Sequence, residues 1–241
     1  MTRTLDLQLF DRRLFRAAAV VFPLIVLAGF GRTYYAKGWF DSPPLPSTLV
    51  HVHGLLMTIW VVLFMTQVWF ISAKRIRLHQ RLGYAGIGLA GVIIAVGFVT
   101  AVRAARYGSA STPPDVPPLA FLAVPLFDLL MFVIFFGGAI YYRRKPAAHK
   151  RLMLLTAINF LPPAIARVPI APLQALGPVW FFGLPTALTL LCLVLDARRN
   201  GRVNRVFVVG AVLLVGSYVG RLALMGTTTW MTFAEWLTRF V

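Results

Sequence analysis

Arg77-Leu78-His79-Gln80-Arg81-Leu82 recurs as Ala147-Ala148-His149-Lys150-Arg151-Leu152. Each copy closes a basic loop and opens a long apolar run, to Val102 in the first case and Ile165 in the second. A charged stretch passing directly into apolar residues of helical length is the mark of a helix entering a membrane, because a span needs roughly 20 mostly apolar residues. The chain has only four histidines, and two of them stand at these equivalent edges.

The rest of the chain has the same character. It is 59% hydrophobic and 13% charged over 241 residues, with a mean hydropathy of +0.78. A soluble domain is nearer 45–50% apolar and about 25% charged. The expected fold is all-α: a polytopic transmembrane helix bundle of about seven spans, forming one integral membrane domain over 1–241 with the lipid bilayer as its main partner. The spans are Leu14–Gly31, Thr48–Ser72, Leu82–Val102, Leu119–Tyr142, Leu152–Ile165, Leu176–Leu195 and Val206–Leu224. Pro162, Pro163 and Pro169 interrupt or end the fifth, and backbone groups freed at that depth need neighbouring helices or water. The repeated phrase suggests related hairpins at 48–102 and 119–165.

The net charge of +17 comes from short clusters between the apolar runs, so nucleic acid is not an expected partner. Arg3/Arg12/Arg13/Arg16, Lys74/Arg75/Arg77/Arg81, Arg143/Arg144/Lys145/Lys150/Arg151 and Arg198/Arg199/Arg202/Arg205 hold seventeen of the 24 Lys and Arg. All four clusters fall on one side of a seven-span path. By the positive-inside rule that side is the cytoplasm, with the N-terminus inside and the C-terminus outside. The apolar stretch from Ala17 lacks a small-residue cleavage site and reads as a retained span rather than a signal peptide. Trp230, Phe233, Leu237 and Val241 share one helical face, which predicts a short interfacial helix on the outer surface. Cys192 is the single cysteine, so an intrachain disulfide is excluded.

His79, Gly83, Gly86, Ala90 and Gly97 form one stripe at the 3.6-residue period. Such a stripe permits close helix contact, or offers a flat face to a planar cofactor with His79 as axial ligand. His149, Met153, Thr156, Phe160 and Arg167 share a face if the prolines do not rotate it. Two histidines at one depth on facing spans are what a bis-histidine haem b requires. The same positions beside arginines also suit imidazoles that only anchor span ends in the headgroup region.

On the outer side, His51 and His53 open the second span, and Met57, Trp60, Phe64 and Gln67 continue the stripe of His53. Gln67, within an apolar span, calls for an interhelical partner. Asp128 lies ~14 Å along the fourth span at 1.5 Å per residue. A carboxylate at that depth must be paired or protonated, and His53, Arg167 and Arg221 are its candidate partners. His51, His53 and Asp128 also have the makeup of a two-histidine, one-carboxylate metal site. No Gly-x-Ser-x-Gly elbow, phosphate loop, His-Glu-x-x-His or His-x-x-x-His pairing occurs.

His51-Val-His53-Gly54-Leu-Leu-Met-Thr-Ile-Trp60, His79-Gln-Arg-Leu-Gly83 and His149-Lys-Arg-Leu-Met-Leu-Leu together resemble a widespread family of bacterial seven-span inner-membrane proteins. The resemblance runs from the first span to the C-terminus and implies the same location and architecture. It supplies no reaction. Relatives often carry His where this chain has Asn204, which argues against a ligand in that loop. Membrane b-type cytochromes are similar at the level of architecture only. Three classes of function fit: a b-type haem or metal-binding membrane redox protein through His79 and His149, a non-catalytic subunit or assembly factor associated with other membrane-complex subunits, and a transporter or metal-handling protein built on His51, His53 and Asp128.

Overall fold

The computed structural model describes residues 2–109 and 112–241, with side chains from residue 13 onward, so Arg3 and Arg12 of the first basic cluster lie outside the described side chains. Eleven α-helices occur among the described residues, with no strand. They are α1 (Thr2–Phe30), α2 (Thr48–Ser72), α3 (Ile76–Tyr107), α4 (Pro118–Phe121), α5 (Ala123–Tyr141), α6 (Pro146–Asn159), α7 (Pro162–Ile165), α8 (Ala171–Gln174), α9 (Pro178–Asn200), α10 (Arg205–Leu224) and α11 (Thr228–Thr238). Six helical segments are long and apolar enough to cross a membrane: 13–35, 48–72, 76–107, 118–141, 178–200 and 205–224.

Local chemistry sets the ends of these helices. The Ser47 hydroxyl accepts from the Val50 N–H (3.3 Å) and starts α2. Asn204 accepts from the Phe207 N–H (3.2 Å) and Thr227 from the Trp230 N–H (3.2 Å), starting α10 and α11. Asn204 is therefore a helix cap. Pro146 and Pro178 occupy first-turn positions, where a missing N–H costs nothing. Within the long helices, Thr58, Thr66, Thr100, Thr186 and Thr189 return their hydroxyls to the carbonyl four residues back, which satisfies these five donors inside their own helices.

The fifth expected span differs most from its sequence outline. Its helix begins at Pro146 rather than Leu152, stops at Asn159, and resumes as the single turn α7. It is not among the six long apolar segments. Instead it forms the core: Arg151, Leu152 and the run from Leu154 to Asn159 are buried, enclosed by α1, α5, α9 and α10. The break at Phe160–Leu161 coincides with Pro162 and Pro163, which cannot donate to the helix ladder. The surrounding helices expose rows of large apolar side chains, including Val20, Leu24 and Leu27 on α1 and Val209, Val212 and Val219 on α10. Apolar surface on that scale suits a lipid environment rather than water.

The third helix also starts earlier than expected, at Ile76, which brings Arg77, His79 and Arg81 inside it. The fourth span is divided into α4 and α5 at Leu122, which keeps right-handed helical angles, and 118–141 counts as one segment of spanning length. α2 packs on α3 and α5 on α6, each pair a tight hairpin, while α3 and α6 both lean on α5 rather than on each other. The expected C-terminal helix is present as α11, but Phe233 is not on its packed face. Trp230, Ala234 and Thr238 are buried against α3 and α4, and Phe233 lies with Trp236 and Phe240 on the exposed side.

Candidate functional site

His79 and His149 occupy the same place in their helices, each the fourth residue after a basic turn. The turns differ in backbone: Lys74 takes a left-handed conformation (φ 58) before the cap Arg75 of α3, whereas Lys145 caps α6 without one and Pro146 fills its first position. α3 and α6 both pack on α5, and the two rings meet: their centroids are 6.2 Å apart and their planes lie at 84°. Two imidazoles bound to opposite sides of one metal ion have centroids about 6 Å apart, given metal–nitrogen bonds of about 2.0 Å.

The two rings are held differently. His149 Nδ1 bonds the Ala139 carbonyl at 2.9 Å. That carbonyl is free to accept because it lies in the last turn of α5. The contact makes Nδ1 the protonated nitrogen and leaves Nε2 with its lone pair, the arrangement found where a histidine serves as a metal ligand. His79 Nδ1 is buried with no hydrogen-bond partner of normal geometry, although the Gln67 backbone carbonyl lies close to the ring.

Beyond these first turns the glycine stripe is a packing surface. A Cβ on Gly86 would stand 3.1 Å from Leu63 Cδ2, and one on Gly97 would stand 3.1 Å from Leu129 Cδ2. The stripe thus receives side chains of α2 and α5, and a planar group laid along it is ruled out. At the end of the stripe the packing is looser: Gln67 Nε2 of α2 covers Gly83, 3.8 Å from where a Cβ would stand. Deeper in the same seam, Trp60 packs edge-on against Phe132 (5.1 Å) and Phe136 (5.4 Å), and Phe160 meets Phe132 at 4.8 Å. Met153 and Phe160 of the expected α6 face join this cluster, while Thr156 is buried and donates to the Met153 carbonyl. The helix break then carries Arg167 away to lie over Phe30 at 4.9 Å.

The residues of the expected metal site are not assembled. Among the described residues, no group of three or more His, Cys, Asp or Glu is placed to hold a metal ion. His51 is exposed, and its backbone carbonyl accepts from the Tyr34 hydroxyl (3.2 Å). His53 lies within electrostatic reach of Arg167. Asp128 is committed elsewhere: its Oδ1 accepts from Arg221 Nη1 at 2.6 Å. Arg221 also donates to the Ser217 carbonyl (3.1 Å), the Ser217 hydroxyl (3.2 Å) and the Val124 carbonyl (3.2 Å), and packs over Phe182 and Tyr218 at 5.2 Å each. Of the three candidate partners for Asp128, Arg221 is the one that binds it.

A second buried ion pair has no counterpart in the sequence reading. Arg151, two residues after His149, forms a bidentate pair with Asp196 of α9, Nε to Oδ2 at 3.0 Å and Nη2 to Oδ1 at 2.6 Å. Asn200 completes it by donating to Asp196 Oδ1 at 3.0 Å. Arg151 looks like a loop anchor in sequence, yet it is only 5% exposed. The available signal was Asp196 itself, an acidic residue at the end of an apolar run with Asn200 one turn on. Cys192 is a free thiol in the same helix.

The two ends of the bundle are chemically distinct. Arg16 donates to Ser72 (3.1 Å), His79 meets His149, and Arg151 pairs with Asp196, which gathers the basic clusters at one end. At the other, Trp230 Nε1 donates to the Leu119 carbonyl (2.9 Å) and Arg106 to the Thr238 and Val241 carbonyls. No family model, curated protein or solved structure matches this chain.

Proposed function

We propose that this is a b-type haem protein of the bacterial inner membrane, with His79 and His149 as the two axial ligands of one haem at the cytoplasmic end. The observation that carries the reading is the histidine pair: matched helix positions, a 6.2 Å separation, and one ring already oriented through Nδ1. The filled glycine stripe would leave a haem only the end of the bundle beside the two histidines. There the exposed Arg75, Arg77, Arg81 and Lys145 would supply cations for its two carboxylates. A haem held by both imidazoles would have no open site for a substrate or oxygen. The chemistry such a centre supplies is one-electron transfer.

The same reading gives seven crossings, with α6 and α7 together as the fifth. Its support is that α6 begins beside His79 at the basic end, while Arg167, just beyond α7, lies within reach of His53 at the other. The positive-inside rule then sets the basic end in the cytoplasm, the C-terminus outside, and the exposed aromatic face of α11 against the outer headgroups. The test is purification after haem-replete expression. The account expects a Soret band and one haem per chain, both lost in His79→Ala and His149→Ala. A colourless wild-type protein, or a Soret band untouched by both substitutions, overturns it.

A further inference from the structure

Gln67 and His79 each present an unmet hydrogen-bonding atom to the same narrow space. Gln67 stands two turns beyond Trp60 on the inward side of α2. Gly83, one turn after His79, leaves room for it, since a Cβ there would stand 3.8 Å from Gln67 Nε2. The Gln67 backbone carbonyl is beside the His79 ring. Gln67 Oε1 and His79 Nδ1 are both buried, and neither makes a hydrogen bond of normal geometry, the Gln67 carbonyl near the His79 ring included. One is an acceptor and the other a ring nitrogen able to donate, and buried polar groups of this kind are almost always satisfied.

We propose that Gln67 is the positioning residue for His79. A turn of its terminal amide brings Oε1 to the Nδ1–H of His79. That contact fixes the tautomer in which Nε2 carries the lone pair, and it does for His79 what the Ala139 carbonyl does for His149. Each ligand is then oriented by its own hairpin, one through a helix-end carbonyl and one through a side chain. Gly83 has a stated part in this: a larger residue there would displace the amide. What Nε2 ligates rests on the haem reading, but the tautomer is a property of the chain itself.

The test uses the full-length chain with nitrogen-15 histidine in lipid nanodiscs, without added haem, and His79 assigned through His79→Asn. The wild type is expected to show His79 as the Nδ1–H tautomer. Gln67→Leu should shift the majority to Nε2–H, while Gln67→Glu, still an acceptor, keeps Nδ1–H. His149 serves as the internal standard and stays Nδ1–H throughout. Gln67→Met, of similar length and apolar, replaces Gln67→Leu if that variant does not fold. A wild-type His79 already in the Nε2–H form, or one whose tautomer is unmoved by the apolar replacement, overturns the proposal. In haem-loaded protein, Gln67→Glu should also lower the midpoint potential, since a negative acceptor makes the imidazole a stronger donor to iron. A chain that shows the tautomer shifts but binds no haem removes the haem and keeps the Gln67 contact. A haem-loaded chain with an unmoved tautomer does the reverse.

Discussion

Replacing Asp128 with Asn removes a charge while keeping the shape of the side chain, and its consequence can be worked out from the packing. Arg221 is 0% exposed, and Asp128 is its only anionic partner among the described contacts. The substitution leaves the guanidinium with carbonyls, a hydroxyl and aromatic faces, none of which cancels its charge. Breaking one side of a buried pair costs about 3–5 kcal/mol, against a total stability of about 5–15 kcal/mol. Asp128→Asn should therefore raise the unfolded-to-folded ratio by about two to four orders of magnitude. Asp128→Asn combined with Arg221→Met removes both charges and should recover at least half of that loss, because the penalty lies in the stranded cation rather than in the missing attraction. Reversible unfolding in mixed micelles measures all three variants. A single substitution within about 0.5 kcal/mol of wild type, the range of a neutral surface change, would refute the reasoning. So would a double variant no more stable than the single one.

The second buried pair should respond in a way that separates the two ends. Asp196→Asn strands Arg151, costs about 3–5 kcal/mol by the same argument, and also lowers haem content because Arg151 lies two residues from His149. Asp128→Asn, at the other pair, should lower stability and leave the haem spectrum of the folded fraction unchanged, and absorption of the two variants checks this contrast. At the α1–α7 contact, a Cβ on Gly29 would overlap the backbone carbonyl of Ala164, which cannot step aside as a side chain would. Gly29→Ala should cost about 1–3 kcal/mol as overpacking, whereas Gly83→Ala, whose nearest neighbour is 3.8 Å away, should be close to neutral in the same unfolding assay.

Much of the bundle was legible because hydropathy and charge act along the chain. The boundaries of α2 at Thr48 and Ser72 follow directly from Ser47 as a cap and the basic turn that begins at Lys74. The matched placement of His79 and His149 was also visible, since it depends only on each residue's distance from a basic loop. That their rings meet was not, because it depends on how α3 and α6 both pack against α5. His51, His53 and Asp128 are not brought together for a related reason: period-3.6 arithmetic places residues on a face but does not say which partner claims them first, and Arg221 claims Asp128. Arg151 misled because a positive-inside arginine and a buried, paired arginine look the same in sequence. The broken fifth span was signalled by its prolines. Its role as the core was concealed, since a helix buried by protein and one facing lipid are equally apolar.

The central claim, that His79 and His149 share one haem, is tested most directly by electron paramagnetic resonance of the oxidised, haem-loaded protein. Imidazole planes at 84° predict a low-spin ferric signal of the strongly anisotropic kind given by perpendicular axial ligands. Substituting Ala at either histidine should convert it to high spin or abolish haem binding. An ordinary rhombic signal from parallel imidazoles, a high-spin signal in the wild type, or no haem signal at all would contradict the account.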